Sequence, residues 1–138
     1  MPLKVVFDTN ILFSALGWRG PPFRCVELAR TGVVESATCA EILEEFAEKL
    51  QVKLGLGKED AEGAIAYHRG FFRVVRIPGE LRGATRDPDD DKVLECAICA
   101  QAHYIVSGDK DLLVLGVYRS VKIVKAAEFL KIVAKRGW

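Results

Sequence analysis

At 138 residues the chain has room for one domain with a sizeable core. Half of the residues are apolar, 28% are charged, and the formal net charge is only +1, an ordinary globular composition. That balance excludes a global basic field, so any contact with a polyanion has to be local.

The first apolar stretch, PLKVVF, is short and is followed at once by Asp8, unlike a secretory signal. No apolar run approaches the ~20 residues of a membrane span. The expectation is a cytoplasmic protein with reduced thiols and no membrane contact.

Residues 3–7, LKVVF, read as a short buried strand, and residues 10–16 as a helix. GWRGPP at 17–22 is a loop whose prolines suit the opening of a helix over 22–31. GVVESA at 32–37 predicts a second strand. Apolar residues at 42, 43, 46 and 50 have the helical period and predict a helix over 40–51. A glycine-rich break leads to a helix near 58–70, and FFRVVRI at 71–77 predicts a third strand. After a polar loop at 80–88, a helix is expected over 90–102 with Val93, Leu94, Ala97 and Ile98 as its packed face. A fourth strand over 103–107, a short helix at 112–115, a fifth strand over 121–126 and a closing amphipathic helix complete the chain. Apolar strands alternating with helices predict a parallel sheet covered on both faces, a three-layer α/β domain spanning residues 1–138.

Four cysteines are present, and Cys96 and Cys99 form a C-x-x-C. A zinc or redox site needs such a pair in a loop or at a helix start, with further ligands for zinc. Here the pair falls inside an alanine-rich helix, and His68 and His103 are isolated. The cysteines read as small core residues.

Two predicted strands run into aspartates, Asp8 after LKVVF and Asp109 after YIVSG. Ligands of an open parallel sheet bind beyond the carboxyl ends of its strands. The stretch RDPDDDKVLECA adds Asp87, Asp89, Asp90 and Asp91 where the helix of 90–102 begins. If the two strands are neighbours, Asp8 and Asp109 share one crevice and Asp91 comes within reach. Asp8 alone is also a good N-cap, and Asp89 or Asp90 reads as a cap or a solvated loop residue. Asp111 could likewise cap the short helix that follows it. Carboxylates gathered this closely repel one another unless a cation compensates. Lys92 and Lys110 lie near in sequence, but a hard divalent cation with oxygen ligands, Mg²⁺ or Mn²⁺, meets the need better.

VVFDTNILFSAL, CAEILEEFAEKL, RDPDDDKVLECA and YIVSGDKDLL, in that order, resemble the PIN domain family, in the branch of toxin components of toxin–antitoxin pairs. The resemblance spans nearly the whole chain. It implies a five-stranded parallel sheet in the order 3-2-1-4-5 and a metal-dependent ribonuclease. It implies Asp8, Glu45, Asp91 and Asp109 as the catalytic and metal-binding acids, with Asp111 as a further metal ligand. Asn10 and Ser107 match polar residues that would orient the acids. Helical periodicity alone leaves Glu44 and Glu45 equivalent, and the resemblance favours Glu45. Glu95, one turn beyond Asp91, shares its helix face and is a candidate outer partner of the site.

The implied chemistry is hydrolysis of RNA phosphodiesters by water made acidic by one or two Mg²⁺ or Mn²⁺ ions. Arg19, Lys110 and Arg86 are the candidate phosphate contacts, and Trp18 could stack on a base. An antitoxin protein and a second copy of the chain are implied partners. Three other readings compete: a phosphatase with Asp8 as covalent nucleophile, a non-catalytic RNA- or protein-binding module, and a DNA nuclease.

Overall fold

The structure, a computed structural model, describes residues 2–137. The elements are β1 (Lys4–Phe7), α1 (Thr9–Gly17), α2 (Pro21–Arg30), β2 (Glu35–Thr38), α3 (Ala40–Leu54), α4 (Lys58–Arg69), β3 (Arg73–Val74), α5 (Pro88–Cys99), β4 (Tyr104–Val106), α6 (Lys110–Leu113), β5 (Val117–Tyr118), β6 (Val121–Val124) and α7 (Ala126–Lys135). They form a three-layer α/β/α domain. The sheet order is β3-β2-β1-β4-β6-β5. Its first five strands are parallel, as expected, and the sixth is an addition. β5 pairs antiparallel with β6 through a two-residue turn at Arg119 and Ser120, with φ of 47° and 72°. Positive φ at both turn positions matches the right-handed twist of the strands.

The sheet interior is Val5, Val6, Phe7, Ile105 and Val106, all 1% exposed or less. Burying one such side chain contributes ~1.5–3 kcal/mol. α5 packs on β1, β2 and β4. On α7, the Phe129 ring meets the Tyr104 ring of β4 edge-on at 5.7 Å between centroids. α2 joins α7 through Cys25, whose thiol lies 3.4 Å from the Ala126 carbonyl oxygen.

Several boundaries differ from the sequence expectation. β2 starts at Glu35 because the amides of Val33 and Val34 still close the end of α2 on the Leu28 carbonyl. β3 shrinks to an edge pair, Arg73–Val74. α5 begins at Pro88 and ends at Cys99, and Gln101 at φ 55° turns the chain into β4. α6 starts at Lys110, where Asp109 caps it. Cys25, Cys39 and Cys96 are core residues, but Cys99 is exposed. The C-x-x-C straddles the helix, one sulfur inside and one outside.

Arg119 and Ser120 occupy a turn geometry that Asn-Gly adopts without strain. By relieving left-handed strain, the double change Arg119→Asn with Ser120→Gly should raise unfolding free energy by about 1 kcal/mol. Urea denaturation should show a higher midpoint with an unchanged slope.

Candidate metal centre

The register of the two central strands builds the site. Val6 pairs with Ile105 and Phe7 with Val106, so β1 and β4 end level. The Asp8 amide then donates to the Val106 carbonyl oxygen at 3.1 Å. One residue further along each chain, the buried Ser107 Oγ donates to Asp8 Oδ2. Asp8 Oδ1 accepts from the Ile11 amide at 2.9 Å and caps α1. Asp8 is therefore both the N-cap and a member of the acidic centre. Ser107 Oγ also accepts from the Asp109 amide at 2.9 Å, and Asp109 Oδ1 accepts from the Asp111 amide at 2.8 Å. A chain of short local bonds thus runs from Asp8 to Asp111.

Asp90, Asp109 and Asp111 each offer an oxygen within 4.8 Å of the other two. Asp90 is the buried member, 7% exposed, and among the described residues its Oδ2 meets no hydrogen-bond partner. A buried carboxylate oxygen left bare is costly. Burial, first, and then the neighbouring Asp109, Asp87, Asp8 and Asp111 push the Asp90 carboxyl up to about 7. Burial likewise pushes Asp8 up to about 6, against the bonds from Ser107 and Ile11. An all-carboxylate set with one unpaired buried oxygen suits a hard divalent cation.

The structure sends Asp91 elsewhere. Its Oδ2 accepts from the Gly83 amide at 3.0 Å, and its Oδ1 accepts from the Thr85 amide at 2.8 Å and the Thr85 hydroxyl at 3.0 Å. Glu95 does the same one turn on: its Oε2 accepts from the Glu80 and Leu81 amides at 2.9 and 3.3 Å. These two buried acids hold the loop between β3 and α5. The expected metal ligand Asp91, and Glu95 expected beside it, are thus committed to the loop, and it is Asp90 that comes together with Asp109 and Asp111. The expectation that Asp89 or Asp90 is a cap or solvated fits the exposed Asp89 and is corrected for the buried Asp90. Asp87 is the cap, accepting from the Asp89 amide at 2.9 Å, and Asp89 is exposed beside Lys92 at 3.5 Å. One signal for Asp90 was present in the sequence. It lies four and seven positions before Leu94 and Ala97, on the packed stripe of the helix.

On α3, Glu44 is exposed whereas Glu45 is half-buried and meets Lys49 at 3.5 Å. Burial and then Asp89 raise the Glu45 carboxyl, and Lys49 opposes them. Lys49 Nζ also donates to Asn10 Oδ1. Sequence reasoning did not single out Lys49; its position one turn beyond Glu45 is the signal that could have. Arg86, on the loop held by Asp91 and Glu95, reaches Asp111 Oδ1 at 2.7 Å while remaining 88% exposed. Lys110 is exposed at the start of α6. Arg19 lies over the Phe23 ring at 5.4 Å. Trp18 is 58% exposed with its ring across Gly20, where a Cβ would fall 1.9 Å from it.

Carboxylates gathered beyond the carboxyl ends of two central parallel strands define an α/β domain with an acidic centre of the kind that takes a divalent cation. The chain belongs to the PIN domain family, whose sequence model matches residues 4–111. No curated protein matches it. Among solved structures it is similar to a chain in the crystal structure of VapBC2 from Rickettsia felis bound to a DNA fragment from their promoter. That likeness has 17% identity and a TM-score of 0.63, covering 88% of this chain and 97% of that one. It is also similar to PAE2754 from Pyrobaculum aerophilum, at 15% identity and a TM-score of 0.63, covering 96% of this chain and 90% of that one. At these identities the likeness speaks for the fold.

The raised carboxyls make metal-free stability pH-dependent. An acid with a higher pKa folded than unfolded holds its proton more tightly in the fold, so stability falls as pH rises from the ordinary value of 3.8 through about 6 and 7. Between pH 5 and pH 8 the metal-free protein should lose on the order of 3 kcal/mol. Mn²⁺ should remove most of that loss in thermal melts. The two neighbouring aspartates should also separate. Asp90→Asn should weaken Mn²⁺ binding in calorimetry yet stabilise the metal-free protein at pH 8. Asp91→Asn should cost about 2–3 kcal/mol by unsettling the 83–85 loop, with little change in Mn²⁺ affinity.

Proposed function

We propose that this chain is a divalent-metal-dependent endoribonuclease acting as the toxin of a toxin–antitoxin pair. The observation that carries the reading is the convergence of Asp90, Asp109 and Asp111 around a buried, unpaired carboxylate oxygen, beside Asp8 at the ends of the central strands. Family membership supports it, since PIN domains are in general metal-dependent nucleases. So does the fold shared with a VapBC2 chain.

Asp90, Asp109 and Asp111 would hold the cation, Mg²⁺ or Mn²⁺, with Asp8 adjacent. When bound, such an ion lowers the pKa of water toward neutrality and offsets the phosphate's charge. Ser107 fixes the rotamer of Asp8 through its hydroxyl. Glu45 on α3 is paired with Lys49, which also donates to Asn10 Oδ1. Arg86 is the best-placed phosphate contact. Its guanidinium, now on Asp111, would offer two parallel donors to an RNA phosphate if Asp111 were committed to a cation. Lys110 and Arg19 lie at the margins as weaker contacts. An antitoxin and a second copy of the chain are the proposed protein partners. Leu16 and Trp18, 49% and 58% exposed, supply apolar surface for such contacts.

The geometry disfavours a phosphatase with Asp8 as nucleophile. Asp8 is 4% exposed and both of its oxygens accept hydrogen bonds.

The deciding experiment incubates wild type, Asp8→Asn and Asp90→Asn with mixed-sequence single-stranded RNA in Mn²⁺, Mg²⁺ or EDTA. Cleavage should require the ion, and each variant should lose about 10²-fold or more in rate. Arg86→Ala should chiefly raise KM and flatten the salt dependence of RNA binding. Mn²⁺ binding without cleavage of any RNA would favour a non-catalytic binding module.

A further inference from the structure

Glu45 stands apart from the acids that converge. The oxygens within 4.8 Å of one another come from Asp90, Asp109 and Asp111, whereas Glu45 Oε1 lies 3.5 Å from Lys49 Nζ. The same ammonium donates to Asn10 Oδ1, and its charge reaches Asp8. Lys49 follows Glu45 by one turn of α3, so the pair shares a helix face. Its side chain is only 20% exposed, which holds the charge in place. By contrast Arg86, 88% exposed on Asp111, is free to swing away. Glu45, Lys49 and Asp89, with Glu48 and Lys53, line a groove of about 270 Å³, so the ammonium is open to an incoming ligand.

We propose that Lys49 takes the place a second divalent ion holds in two-metal nucleases, leaving this site with a single ion at Asp90, Asp109 and Asp111. The proposal rests on the metal-dependent reading above and sets its ion count. A second hard ion would need oxygen ligands on the Glu45 side. Glu45 Oε1 and Asn10 Oδ1 already face the ammonium, and the other two carboxylates lining the groove, Glu48 and Asp89, are exposed. A further ion beside it would also meet a fixed like charge. An ammonium has three donors and no acceptor. Two go to Glu45 and Asn10, and the third is available to a phosphate oxygen, the contact a second ion would otherwise make. Lys49 is thus a positioning residue for Glu45 and Asn10 and a candidate partner of the substrate phosphate.

The test is a count of Mn²⁺ bound per full-length chain, by the electron paramagnetic resonance signal of free Mn²⁺ and by calorimetry, with folding checked by circular dichroism. Wild type and Lys49→Arg should bind one ion, and Lys49→Met should bind two. If Lys49→Met does not fold, Lys49→Gln serves in its place. Two ions on wild type, or one on the folded neutral variant, would overturn the proposal while leaving the metal-dependent reading intact. No ion on wild type would overturn both.

Discussion

The level ending of β1 and β4 is the constraint on which the rest of the molecule depends. Paired main chains run through Phe7 and Val106. The next residues must therefore emerge side by side at the sheet edge. Asp8 and Ser107 do so and bond to each other. The same serine receives the Asp109 amide. A strand slip of one residue would exchange the side chains packed on the two covered faces and separate these groups. The hydrophobic packing of Val5, Val6, Ile105 and Val106 thus positions the carboxylates it never touches.

That placement has an energetic cost in the metal-free protein. Asp8 and Asp90 are buried, near other acids, and displaced upward from the ordinary carboxylate range. The fold carries this charge because the sheet and its helices bury enough apolar surface to outweigh it. Lys49 and Arg86 offset part of it, each in a different way. Lys49 is wedged between Glu45 and Asn10, whereas Arg86 reaches Asp111 from an exposed loop. The acids of α5 divide the work between two neighbouring faces of one helix. Asp90 faces the centre, and Asp91 with Glu95 ties down the loop that carries Arg86. A run that reads as one acidic feature in the chain performs two tasks in space.

Much of the architecture was legible in the linear chain because strands and helices differ in apolar period. LKVVF and YIVSG announced short buried strands ending near aspartate, and the 42, 43, 46 and 50 spacing announced α3. The strand order came from resemblance to a family, since alternation of elements does not rank strands across a sheet. The extra strand β5 escaped notice because two residues carry no periodicity, and its turn uses Arg119 and Ser120 rather than Asn-Gly. The end of α5 was misjudged for a similar reason: Gln101 takes a left-handed conformation without being glycine. Cys99 read as buried because its neighbours are apolar, yet it lies on the solvent side of the helix.

The chain by itself determined that acids cluster at strand ends and at a helix start, because residue type and local pattern depend on neighbours in sequence. It also determined that Glu44 and Glu45 compete for one role. Only the tertiary structure decided between adjacent residues. Consecutive side chains on a helix point about 100° apart, so the rotation of each helix about its axis selects which one faces inward. For α5 that rotation is set by Leu94 and Ala97 packing into the core, which carries Asp90 to the centre and Asp91 to the loop. For α3 it is set by Ile42, Phe46 and Leu50, which leaves Glu45 beside Lys49 and Glu44 in water. Packing over the whole domain fixes these angles, and no window of sequence contains it.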